Sequence, residues 1–150
     1  MIDRKWIGHA WPPSVLHIDR TRLQFFAKTI GETNPIYTDV AAARHAGYPD
    51  LPAPPTFIVA AEMDAGAVER FLAELAIPLS KLLHGEQGFT YHKTICAGDT
   101  IAVHSRITDI YDKKNGTLEF VAKTSRVFNQ LEELVAELRA VIVCRHDRRT

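Results

Sequence analysis

From residue 134 to residue 144 the chain is apolar at every second position: Leu134, Ala136, Leu138, Ala140, Ile142 and Cys144. A period of two lines all of them along one face of an extended strand, and only a sheet with that face covered rewards the pattern. The Glu and Leu content of the segment leaves a helix as the alternative. The residues before it read the same way. Thr100 to Tyr111 alternates, with Ile101, Val103 and Ile107 on one side. Leu118, Phe120, Ala122 and Thr124 mark a return strand. Between the two lies Asp112-Lys113-Lys114-Asn115-Gly116, whose Asn-Gly pair is a hairpin signal. Phe89-Thr90-Tyr91-His92 is the expected start of this strand-rich half.

The first half follows a different period. Val15 to Ile18 reads as a short strand. Asp19 or Thr21 can cap a helix running to about Ile30, with Leu23, Phe26, Ala27 and Ile30 at helical spacing and Gly31 as its stop. Asp39 offers a second N-cap, for a short helix over Val40 to Ala46 closed by Gly47. Prolines at 49, 52, 54 and 55 form a stiff extended loop. A third helical stretch follows, in which Phe57, Ile58, Ala60, Ala61 and Met63 are apolar on nearly every side; such a helix must be buried. Helices followed by an antiparallel meander make an α+β pattern, with one apolar helix enclosed by a curved sheet.

The chain has 150 residues, 18 Lys and Arg against 18 Asp and Glu, and a formal net charge of zero. That length supports one core and one domain over 1–150. The balanced charge argues against nucleic acid or an anionic membrane as partner. No apolar run approaches the roughly 20 residues of a membrane span. The charged start, Met1-Ile2-Asp3-Arg4-Lys5-Trp6, lacks the apolar stretch of a secretory leader, so the expected compartment is the cytoplasm. Cys96 and Cys144 stand alone and read as buried structural thiols. Neither a GxSxG, a Walker A nor a GxGxxG string occurs.

The most informative string is Gly31-Glu32-Thr33-Asn34-Pro35-Ile36-Tyr37-Thr38-Asp39. It lies between a helix end and a helix cap, where a tight polar loop can project side chains into a cleft. It resembles the motif Gly-Asp-x-Asn-Pro-Ile-His-x-Asp of the MaoC-like dehydratases, the R-specific enoyl-thioester hydratases of the hotdog fold. Further matching strings are Ala46-Gly47-Tyr48, Pro54-Pro55-Thr56-Phe57, His84-Gly85-Glu86-Gln87-Gly88-Phe89-Thr90-Tyr91-His92, Ala97-Gly98-Asp99-Thr100 and Phe128-Asn129-Gln130 through Val135. These are similar to the single-hotdog, N-terminal-type (FAS1-like dehydratase) branch.

The resemblance implies reversible hydration of an enoyl thioester of coenzyme A or acyl-carrier protein. Its catalytic pair is an Asp and a His, at the positions of Glu32 and Tyr37 here. Glu32 keeps the carboxylate on a longer arm. Tyr37 can donate a hydrogen bond, but its ordinary pKa of about 10 makes it a poor base. Glu32 reads either as the water-holding base or as a carboxylate that bonds the loop; Tyr37 reads as a donor or as packing. Asn34 reads as a turn pin beside the substrate, Asp39 as a cap. The thioester oxygen needs donors as it gains charge. Pro54 and Pro55 carry no N–H, so the first available amides are those of Thr56 and Phe57.

His84 and Glu86 are expected on one strand face, lining the cleft; without a third ligand at recognisable spacing, zinc is not indicated. Phosphates of the substrate could meet Lys93, Arg106, Arg126 or the tail Arg145-His146-Asp147-Arg148-Arg149. Phe57, Met63 and Phe71 are expected to set the acyl depth. No organic cofactor is needed beyond the coenzyme A or phosphopantetheine carried by the substrate. The alternatives are a non-catalytic subunit that pairs with a hotdog bearing the intact dyad, or a thioesterase using Glu32. Either way a homodimer or heterodimer is expected, because a lone sheet leaves an open edge.

Overall fold

The computed structural model describes residues 1–146. Strand β1 (Ser14–His17) leads into helix α1 (Arg20–Thr29). The Asp19 carboxylate accepts the Arg22 N–H at 2.9 Å and caps the first turn. At the other end Gly31 takes φ 72°, which lets the Glu32 N–H reach back to the Ala27 carbonyl at 2.9 Å and close the helix. Helix α2 (Val40–His45) is capped by Asp39 through the Ala41 N–H at 2.8 Å. Helices α3 (Phe57–Asp64) and α4 (Ala67–Glu74) follow the proline loop. The rest is sheet: β2 (Leu82–Tyr91), β3 (Thr100–Lys113), β4 (Leu118–Phe128) and β5 (Leu134–Arg145).

The five strands form one antiparallel sheet in the order β1-β3-β4-β5-β2. Helix α3 lies against its concave face. Phe57, Ile58 and Ala61 pack with Ile101, Val103, Val127 and Leu138 in the main core. This is the hotdog arrangement, a curved sheet around a central helix, and it accounts for the apolar character of α3. The period-two set of β5 faces inward as expected, with Ala136, Leu138, Ala140 and Cys144 buried. Both cysteines are free and buried. No described helix is long and apolar enough to cross a membrane.

Three features depart from the expectations. Helix α4 was not among the three expected helices, although Val68, Phe71, Leu72 and Leu75 recur at helical spacing. It packs Phe71 and Leu75 on Ile107, Ile110 and Val121 in a second core. Strand β2 begins at Leu82, ahead of the expected Phe89, because its glycines weaken the local pattern while β5 supplies a partner along its whole length. Finally, His84 and Glu86 do not share a face. His84 pairs with Ile142 and Glu86 with the adjacent Val141, so Gly85 is an extra residue in a bulge. The two side chains therefore point to opposite sides of the sheet.

Candidate active site

The loop between α1 and α2 is built by its own side chains. Glu32 Oε1 accepts the N–H groups of Thr33 at 2.9 Å and Asn34 at 2.8 Å. Asn34 Oδ1 accepts the Ile36 N–H at 3.2 Å and caps a helical turn over Pro35–Tyr37. Gln24 of α1 donates to the Thr38 carbonyl at 2.8 Å, which ties the loop to the helix before it. Glu32 is thus the loop-bonding carboxylate through one oxygen, while its other oxygen has no partner among the described residues. Asn34 is the turn pin.

Tyr37 is half-buried and contributes to a cavity of about 270 Å³ at the N-terminal end of α3. Tyr48, Pro54, Ile58, Tyr91 and Lys93 also line it. Burial, then the nearby Glu32 carboxylate and the Tyr48 phenol, push the Tyr37 hydroxyl above its usual pKa. It is therefore protonated at neutral pH, able to donate a hydrogen bond but unsuited to serve as a base. The Tyr91 hydroxyl, also raised by burial, donates to the Pro55 carbonyl. That bond fastens the end of β2 to the loop that aims α3 at the cavity.

The Thr56 side chain is exposed at the start of α3, whereas Phe57 is core. The Phe57 N–H is engaged by the Pro54 carbonyl at 2.9 Å. Of the two expected amides, Thr56 is the one left for a ligand. His84 lines a different, largely apolar cavity against α3 and α4, which Met63 and Phe71 also line. Glu86 lies on the outer face and pairs with Arg139 at 3.1 Å.

Of the cations considered for phosphate, Lys93 is at the cavity with Tyr37 and is paired with Glu133. Arg106 and Arg126 line a groove on the opposite face of the sheet. Arg145 ends β5, and the basic tail beyond His146 lies outside the described residues. Among the described residues no group of three or more His, Cys, Asp or Glu side chains converges as a metal site would require.

Tyr48, Tyr91 and Lys93 were not singled out for the cavity from sequence. They come from separate segments, and only the fold brings them together. The one early signal was that Tyr48 and Tyr91 stand in strings that match the family.

Residues 5–138 match the family model for the FAS1-like, dehydratase domain region. The chain belongs to that family. It is 33% identical over 147 residues to a UPF0336 protein of Thermobifida fusca, covering 97% of this chain and 95% of the relative. Among solved structures it is similar to the HadBC (3R-hydroxyacyl-ACP dehydratase) complex of Mycobacterium tuberculosis. The TM-score is 0.79 at 24% identity, over 92% of this chain and 96% of that one. It is also similar to a MaoC-like dehydratase, with TM-score 0.80 and 24% identity over 93% of this chain and 42% of that longer one. At these identities the structural likeness establishes the fold, and the family match establishes a dehydratase-type domain.

Proposed function

We propose that this chain adds water to, or removes it from, a 2-enoyl or 3-hydroxyacyl thioester at the α3 end of the loop over residues 31–39. The observation that carries the reading is the Glu32 carboxylate. One oxygen is locked by two loop amides and the other is open, beside a protonated Tyr37 that faces a cavity. A carboxylate held in this way can keep a water in place without a rotamer search. In the hydration direction Glu32 takes a proton from that water as its oxygen bonds to the β-carbon. The thioester oxygen takes up the charge as the enolate forms, with the Thr56 amide as its donor, and the proton held by Glu32 then passes to the α-carbon, which restores the carboxylate. Tyr37 donates a hydrogen bond throughout. Lys93 at the cavity mouth suits the phosphates of coenzyme A or phosphopantetheine, which arrives as part of the substrate.

The test is the purified chain alone with enoyl-CoA esters of several chain lengths, followed by loss of enoyl absorbance. Turnover is expected, with Glu32→Gln lowering it by about 100-fold or more. Absence of turnover at every length overturns the catalytic reading.

A second reading has one observation in its favour. Tyr37 offers no base where the family has His, and the structurally similar HadBC is a complex of hotdog subunits. In this reading the chain shapes the acyl site of a heterodimer whose partner bears the Asp/His pair. Co-purification with such a hotdog, and activity of the mixture beyond that of the partner alone, distinguishes it from a homodimeric enzyme.

A further inference from the structure

The Thr56 amide belongs to a tight turn. The Phe57 N–H donates to the Pro54 carbonyl at 2.9 Å, and Thr56 holds φ −87° and ψ −1°, the values of the third residue of a type I turn. Pro55 is the second residue, its φ fixed by its ring. The peptide joining Pro55 to Thr56 is therefore the central one. The Pro55 carbonyl at one edge and the Thr56 N–H at the other move as a single rigid plane. Rotating that plane re-aims the Thr56 N–H without breaking the turn's own bond, which is how type I and type II turns are related. The peptides on either side are fastened by backbone: the Ala53 N–H donates to the Ile95 carbonyl at 2.7 Å, and the Pro54 carbonyl takes the Phe57 N–H. Pro54 and Pro55 have no N–H with which to hold the loop.

Among the described residues one side chain grips the central peptide. The Tyr91 hydroxyl donates to the Pro55 carbonyl. Tyr91 ends β2, and its ring stacks on Phe89 with centroids 5.7 Å apart and planes at 7°, so the hydroxyl sits on a fixed arm. The bond has two effects. It holds the peptide plane in one orientation. It also draws charge along the amide toward the carbonyl oxygen, which leaves the N–H of the same peptide a stronger donor. That N–H has no partner among the described residues. It lies on the edge away from Tyr91, so the hydroxyl acts through the peptide and does not touch what the amide binds.

We infer that Tyr91 is a positioning residue for the Thr56 amide: its hydroxyl fixes the plane of the Pro55–Thr56 peptide and strengthens the N–H that the thioester oxygen uses. The use of that amide rests on the hydration reading given above.

The test is Tyr91→Phe in the full chain, which keeps the ring on Phe89 and removes only the donor. Two NMR resonances read the peptide directly. The Pro55 carbonyl carbon and the Thr56 amide nitrogen are both expected to move to lower frequency as the carbonyl loses its donor, while the amides of β3 and β4 stay in place. Tyr91→3-fluorotyrosine, a stronger donor at neutral pH, is expected to move both to higher frequency. In turnover of an enoyl-CoA ester, Tyr91→Phe is expected to lower kcat about tenfold with KM little changed, because donor strength counts most as charge develops on the oxygen. A Pro55 carbonyl that does not move, a Thr56 amide that stays put while the carbonyl moves, or an unchanged kcat would each overturn the inference. Absence of turnover in the native chain would remove the hydration reading alone, and the two resonances would still decide whether Tyr91 governs the amide.

Discussion

Gly85 and Val143 leave no room for a side chain between them: a β-carbon on Gly85 would stand 2.8 Å from Val143 Cγ2 and 3.0 Å from the Val141 carbonyl oxygen. The bulge at Gly85 depends on that close approach, and it turns His84 toward α3 and α4 while Glu86 goes to the outer face. Gly85→Ala must push β2 off β5. It is expected to lower stability by about 1–3 kcal/mol, the usual cost of overpacking. Urea denaturation measures it, and an unchanged midpoint refutes the account.

The Lys123–Glu62 pair joins sheet to helix, with side chains 17% and 8% exposed. Breaking a buried pair from one side strands the other charge. Lys123→Met alone is expected to cost about 3 kcal/mol. Adding Glu62→Leu should recover much of that loss, because no charge is then left in the core. A double-mutant cycle by chemical denaturation decides; additive losses would contradict it.

Tyr37 titrates late because of its burial and its neighbours Glu32 and Tyr48. Its pKa is raised in the fold, so the native state holds the proton more tightly than the unfolded chain. The contribution of this group to stability is therefore constant below about pH 10 and is lost as the pH rises through the folded value. Alkaline titration by phenolate absorbance should show a high-pH step that Tyr37→Phe removes. Tyr91→Phe should remove another.

Cys96 and Cys144 are buried, and burial raises both thiols, helped by the Asp99 and Glu119 carboxylates respectively. Native protein at pH 8 is expected to react slowly with a thiol-specific disulfide reagent, and the denatured chain to release the full count of two. Rapid reaction of native protein would show that one of these sites opens.

Much of the fold can be read locally. The alternation in β5, the caps Asp19 and Asp39, the stop at Gly31 and the Asn-Gly hairpin each act over a few residues, and the structure follows them. Part of the candidate site is legible for the same reason. Glu32, Asn34 and Tyr37 occupy one short loop whose bonds are nearly all among neighbours. Helix α4 was missed although its spacing was present, since a short amphipathic segment declares itself only when a core is there to receive it.

The sequence by itself thus determined which segments bend, cap and alternate, because those choices are made between residues close along the chain. Tertiary structure alone decided which distant groups meet. Glu62 finds Lys123 across 61 positions, Tyr91 reaches Pro55 across 36, and the bulge at Gly85 assigns His84 and Glu86 to opposite faces. A one-residue change of strand register exchanges the faces of every side chain beyond it, and no local pattern records that change before the strands pair.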